Sequence, residues 1–182
     1  EKAQAGAPGV THVVRSIGGV RIGCRVTLPA GGPAPAIVVT SHGYHVAPGE
    51  PLREDGPWAA RGLGVVRVRV RGYPGSQFDT GDLTAAPGGY ITVGLGEGEE
   101  WILNRAVADL AMGVRAARAL AGPDVPIMLH GESFGGGLGV IAASMLPRIE
   151  PVERLALGVP TFGDWAWRFD HPTDAGAGSG LH

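Results

Sequence analysis

The segment His130-Gly131-Glu132-Ser133-Phe134-Gly135-Gly136 spells Gly-x-Ser-x-Gly between a short apolar run and a small-residue helical pattern. A serine at the tip of a sharp strand-to-helix turn sits in strained backbone, and glycines on either side let strand and helix approach closely. The hydroxyl of Ser133 would then stand exposed above a sheet. The N–H of Phe134, at the positive end of the following helix, would point to where an oxyanion forms. Ser133 is therefore the candidate nucleophile and the Phe134 N–H a candidate oxyanion donor. A chain with 32 glycines produces such spellings by chance, a glycine-rich turn with an idle serine being the alternative. The context argues against chance: residues 125–129 read as a buried strand and residues 138–146 as a helix.

Working towards the N-terminus, residues 101–121 have the strongest helical pattern. Leu103, Val107, Leu110, Val114 and Ala117 recur at spacings of three and four, and Gly122-Pro123 stops the run. Glu97, Glu99 and Glu100 before it and Arg115 and Arg118 near its end suit the helix dipole. Residues 36–40 form a continuous apolar run of the kind buried on both faces of a parallel sheet. Residues 65–70 alternate valine with Arg67 and Arg69, which predicts a strand with one side towards water or carboxylates. Residues 11–15 and 20–28 are β-rich and separated by Ser16-Ile17-Gly18-Gly19, an antiparallel hairpin. A short helix is expected at 57–61 and another buried strand at 154–159, whereas residues 78–100 are irregular, glycine-rich and long enough to suggest that they line a site. The alternation predicts one α/β domain over residues 1–182, a mostly parallel sheet with flanking helices and an antiparallel N-terminal hairpin.

Composition narrows the function. With 182 residues, the chain is long enough for one packed core, and 44% hydrophobic content with a net charge of −2 separates it from disordered sequences despite its 15 prolines. The scattered basic residues form no patch, so no nucleic-acid partner is expected. No apolar run approaches the roughly 20 residues of a membrane span, so no membrane partner is expected either. The lone Cys24 reads as a half-buried small hydrophobe. It leaves the compartment open, with a cytoplasmic setting as the default.

A serine nucleophile needs a base, an acid to orient that base, and a second oxyanion donor. His42-Gly43-Tyr44 directly follows a buried strand, where the N–H of Tyr44 is the candidate second donor with its side chain on the pocket wall. The base is harder to place. In the order Ser, acid, His only His171 and His182 follow Ser133, and both read as loop or terminal histidines. His42 reads as stabilising its own loop and His130 as a packed core histidine, while Asp164 is an orienting acid without a nearby base. His42 and His45 lack a cluster to complete a metal shell, and no Gly-x-Gly-x-x-Gly follows the first strand, so neither metal nor dinucleotide cofactor is expected.

Five motifs in order carry a resemblance: His42-Gly43-Tyr44, Arg71-Gly72-x-x-Gly75-Ser76, Gly89-Tyr90-Ile91-Thr92 before a helix with Arg105 and Asp109, the Gly131-x-Ser133-x-Gly135-Gly136 turn, and Val159-Pro160-x-x-Gly163-Asp164. Over residues 20–175 the chain resembles the acetyl xylan esterase / cephalosporin C deacetylase family, carbohydrate esterase family seven, of the α/β-hydrolase fold. The resemblance implies hydrolysis of short, chiefly acetyl, esters of sugars and related small molecules without a cofactor, often in a ring-shaped homohexamer. It gives Ser133 the nucleophile's place and the N–H groups of Tyr44 and Phe134 the oxyanion hole. Phe134 stands where the family usually has Gln, which changes the pocket, and Trp101-Ile102-Leu103-Asn104 departs from the family's tyrosine-rich helix start. The family's Asp and His follow two further strands, so the chain reads as the N-terminal and central portion of the domain, with the base and acid supplied by a C-terminal portion of the same protein. Two other functions fit the same residues: a cocaine-esterase or X-prolyl-peptidase type of hydrolase, and a hydrolase-like binding domain without catalysis.

Overall fold

The structure, a computed structural model, describes residues 10–29, 32–46, 56–74, 81–146, 150–163, 167, 170 and 171. Six strands form one sheet: β1 (Val10–Arg15), β2 (Arg21–Thr27), β3 (Ile37–Thr40), β4 (Gly64–Arg69), β5 (Ile127–Glu132) and β6 (Arg154–Gly158), in the spatial order β1-β2-β4-β3-β5-β6. β2 runs antiparallel to both β1 and β4, and β4, β3, β5 and β6 are mutually parallel. The helices α1 (Gly56–Ala59), α2 (Ile102–Ala121) and α3 (Ser133–Met145) accompany them among the described residues. The expected mixed sheet and N-terminal hairpin are therefore present. The hairpin closes with Ser16 N–H donating to Val20 O at 2.7 Å and Gly18 and Gly19 both at positive φ.

Helix α2 packs on the sheet with the face that its periodicity marks: Leu103, Val107, Leu110, Val114 and Ala117 are all buried. Each of its large apolar side chains contributes about 1.5–3 kcal/mol relative to exposure. Arg118 in its last turn fastens the start of the second half of the sheet. The guanidinium donates to Val125 O at 2.5 Å and Pro123 O at 2.9 Å and pairs with Glu150 at 3.0 Å, while Glu153 accepts the N–H of Ile127 at 2.6 Å.

Several expectations change. β5 runs two residues later than the apolar run 125–129 and extends through His130, Gly131 and Glu132, because those residues pair with Ala156, Leu157 and Gly158 of β6. α3 begins at Ser133, five residues before the expected start, since the glycines at 135–137 bury against neighbouring backbone instead of breaking the helix. α2 begins at Ile102, with Trp101 outside it donating its indole N–H to Ile91 O at 2.7 Å. The arginine side of β4 is drawn into the fold among the described residues. β4 is central, Arg69 is buried and donates to Pro74 O, and Arg67 donates to Ser41 O at 3.1 Å. Cys24 is fully buried, and that burial, with the Asp109 charge a lesser cause, pushes its thiol from 9.0 up to about 12.

Candidate active site

Parallel strands β3, β5 and β6 all end at the same edge of the sheet. The chain passes from β3 to β4 on one side of β3 and then returns to place β5 on its other side, so the crevice beyond β3 and β5 is a topological switch point. Ligands of open α/β sheets bind at such points. Tyr44 follows β3 and Ser133 follows β5, so the order of the strands alone brings two candidate residues distant in sequence to one crevice.

Ser133 is exposed, begins α3 and has φ 50, which non-glycine residues rarely adopt. Close approach on both sides explains how it is held there. A Cβ on Gly131 would lie 2.4 Å from Gly135 O, and one on Gly135 would lie 3.0 Å from His42 O, so larger residues at either position would force backbone apart. The strand is thus folded tightly onto the first turn of α3, and the loop after β3 is laid against the same turn. The N–H of Phe134 lies in that first turn, where helix N–H groups have no partner within the helix. An anion beside Ser133 would meet the positive end of α3.

The Phe134 ring lies fully buried, with ring centres of Tyr44, Tyr73, Tyr90 and Phe162 at 5.6, 5.6, 5.8 and 5.7 Å and His42 at 6.0 Å. Tyr44 is half-buried. Burial holds its phenol above the ordinary value, partly offset by backbone hydrogen bonds from Ile91 and Tyr90. Burial likewise raises Tyr73 and Tyr90, so all three phenols are neutral donors near neutral pH. Of residues 78–100, the part from 81 onward is described; Tyr90 and Ile91 there are core residues, and the Tyr44 hydroxyl reaches their backbone.

Two histidines pack within this arrangement, His42 against Tyr73 at 4.2 Å and His45 edge-on against Tyr44 at 5.2 Å. His42 is buried, with Nδ1 2.8 Å from Gly43 O and Nε2 accepting the Val70 N–H at 3.4 Å, which stabilises its own loop as its sequence context indicates. His130 is half-buried, with Nδ1 3.2 Å from Thr40 Oγ1. His171 is exposed, stacks on Trp167 at 4.3 Å and lies 2.8 Å from Trp167 O through Nδ1. Asp164 and His182 lie outside the described residues. Among the described residues no group of three or more His, Cys, Asp or Glu is placed to hold a metal ion, and no helix is long and apolar enough to cross a membrane.

One constellation escaped the sequence reading. Asp109 is fully buried on α2 and accepts from Arg71 Nη2 at 2.6 Å, Arg71 Nε at 3.0 Å, Arg71 N–H at 2.8 Å and Ser16 Oγ at 2.5 Å. The available signal was positional: Asp109 falls on the same helix face as Ile102, Ala106 and Gly113, where an ionised side chain needs a partner. Arg71 also connects to the site, because its carbonyl accepts the Tyr90 hydroxyl at 2.8 Å and Tyr90 packs on Phe134. A separate groove of about 530 Å³ between α2 and α3, lined by Ile17, Asn104, Arg105, Ala111, Ile141 and Met145, includes none of Ser133, Tyr44 and Phe134.

A mostly parallel sheet with helices, an exposed serine in positive φ at a strand-to-helix junction, and a crevice at the switch point define the α/β-hydrolase fold. The family model for acetyl xylan esterase (AXE1) matches residues 9–167, and the chain belongs to that family. Among solved structures it is similar to acetyl xylan esterase 1 from Thermoanaerobacterium sp. JW/SL YS485, with a TM-score of 0.77 and 21% identity over 95% of this chain and 54% of that one. An acetyl xylan esterase from Paenibacillus sp. R4 follows, with a TM-score of 0.60 and 23% identity over 74% of this chain and 44% of that one. A bacterial heroin esterase has a TM-score of 0.57 and 17% identity over 90% and 47%. At these identities the structures attest the fold, and the chain spans about half the length of each. No curated protein matches it.

Proposed function

We propose that this chain carries the nucleophile and the oxyanion hole of a serine esterase that removes short acyl groups, chiefly acetyl, from sugars or related small molecules. The observation that carries the reading is Ser133 itself: a non-glycine residue at φ 50, exposed, at the β5–α3 junction, held by glycines with no room for a side chain. In this reading Ser133 Oγ adds to the ester carbonyl. The negative charge that develops on the carbonyl oxygen is received by the N–H groups of Tyr44 and Phe134. Collapse expels the alcohol and leaves an acyl-enzyme, which water hydrolyses to the carboxylic acid and free serine.

The base and its orienting acid come from outside the described residues. His42 engages Gly43 O of its own loop through Nδ1 and the N–H of Val70, just after β4, through Nε2, and His171 is stacked on Trp167. A serine with no base attacks slowly. Labelling by a fluorophosphonate tests this: the chain of 182 residues alone should label slowly, and the same chain joined to the sequence that continues it in its source protein should label rapidly at Ser133. Rapid labelling of the shorter chain would return the role to His171 or His182 with Asp164. Turnover of acetyl esters in preference to prolyl amides separates this reading from a prolyl-peptidase one.

A further inference from the structure

The Gly43–Tyr44 peptide carries the N–H on which one side of the oxyanion hole depends, yet packing does not fix its plane. Gly43 is exposed, and a Cβ built on it would meet no atom of the described residues within 4 Å. Glycine turns about ψ with little steric resistance, and such a turn swings the peptide that follows it. Rotated by half a turn, this peptide would offer the crevice the Gly43 carbonyl in place of the Tyr44 N–H, and a carbonyl repels the charge that an N–H receives. Among the described residues the Tyr44 N–H makes no hydrogen bond that would prevent this. The Tyr44 ring is held edge-on to Phe134 at 5.6 Å, but a ring fixes its own Cα and not the plane of the peptide before it.

His42 supplies the missing restraint. Its Nδ1 lies 2.8 Å from Gly43 O, and a carbonyl only accepts, so this nitrogen donates. The proton is assigned to Nδ1 by the other side of the ring, where Val70 N–H donates to Nε2 at 3.4 Å. The ring is buried, tilted against Tyr73 at 4.2 Å and stacked on Phe134 at 6.0 Å. The backbone is seated as well: His42 O lies 3.0 Å from where a Cβ of Gly135 would stand, against the first turn of α3. One imidazole thus joins the end of β4, the loop after β3 and the turn that carries Ser133.

We propose that His42 is a positioning residue of the oxyanion hole: by donating Nδ1–H to Gly43 O it keeps the Gly43–Tyr44 peptide turned so that the Tyr44 N–H faces the crevice at Ser133. This rests on the reading of Ser133 as the attacking serine. The test is hydrolysis of p-nitrophenyl acetate by the full-length protein and its His42→Asn and His42→Gln variants. Asparagine carries an amide N–H where Nδ1 stands, whereas glutamine carries its amide where Nε2 stands. Loss of a whole oxyanion donor costs about 10²–10³ in kcat. His42→Gln frees the peptide without deleting its N–H, so it should lower kcat about 10–100-fold at nearly unchanged KM, because the donor acts on charge that develops in the transition state. His42→Asn should recover most of that loss. Affinity for a trifluoromethyl ketone, whose adduct with a serine puts an oxyanion in the hole, should fall in step with kcat. Each variant gives up one of the two ring hydrogen bonds, so a role in stability alone would lower both melting temperatures and leave kcat the same in the two. Equal kcat in the two variants, at any level, overturns the proposal, and so does a loss that appears in KM alone. A parent inert towards the ester removes the esterase reading and this inference with it, whereas an active parent with an unaffected His42→Gln removes this inference only.

Discussion

The surroundings of Asp109 and those of Ser133 solve opposite problems within one sheet. At Asp109 a buried carboxylate is met by the guanidinium and backbone N–H of Arg71 and by the hydroxyl of Ser16, which ties the β1–β2 turn, the end of β4 and helix α2 together. At Ser133 a hydroxyl is left exposed on strained backbone, with Val159 and Phe162 after β6 also at positive φ. Strain of this kind costs on the order of 1–3 kcal/mol per residue and needs rigid neighbours. The Tyr90 hydroxyl on Arg71 O, and the rings of Tyr90, Tyr73 and Phe134 beyond it, connect the rigid cluster to the strained corner. The difference teaches where each kind of damage should appear: in stability at one end and in chemistry at the other.

Replacing Ser133 by Ala gives the largest contrast. The hydroxyl is exposed, so the melting temperature of the full-length protein should stay close to the parent's, whereas esterase activity should fall below about a thousandth of it, some 4 kcal/mol of transition-state stabilisation or more. Residual activity above that level refutes the assignment of the nucleophile. Asp109→Ala should do the reverse. It strands the Arg71 charge in the interior, and breaking a buried pair in this way costs about 3–5 kcal/mol, readable from urea unfolding. A loss below about 1 kcal/mol would mean that water reaches Arg71 and that the cluster is not the rigid element described.

The smallest effect concerns Cys24, which lies beside the Asp109 end of the comparison. Its thiol keeps its proton in the folded protein up to about pH 12, while in the unfolded chain it ionises above about 9.0. The folded state therefore binds more protons between those values, and stability falls as pH rises through that window, by on the order of 1 kcal/mol per pH unit from this group. Below pH 9 the contribution is complete. Unfolding of Cys24→Ala measured between pH 8 and 11 should show a shallower alkaline decline than the parent. Parallel curves would mean that the thiol ionises at its ordinary value and is open to solvent.

Local spelling was enough for much of this protein. The Gly-x-Ser-x-Gly turn, the β1–β2 hairpin and the buried face of α2 were legible because turn chemistry and helical periodicity act over a few residues. The same segment placed Ser133, Phe134 and, through the loop after β3, Tyr44 as the residues to examine. Strand order was the first thing that only tertiary structure decided. The alternation left open whether Arg69 meets water or a carboxylate, and the place of β4 between β2 and β3 is what buries it and brings its side chain to the carbonyl of Pro74. The cluster of Ser16, Arg71 and Asp109 joins residues up to 93 positions apart, and a sequence holds no local sign of which buried charge will find which partner. The Phe134 ring turned into the core because His42, Tyr44, Tyr73, Tyr90 and Phe162 converge there from separate segments. The positive φ of Val159 is likewise a product of the turn packed onto α3 and not of any preference of valine. Short-range sterics thus determined where an exposed serine on strained backbone belongs, and long-range packing decided what surrounds it.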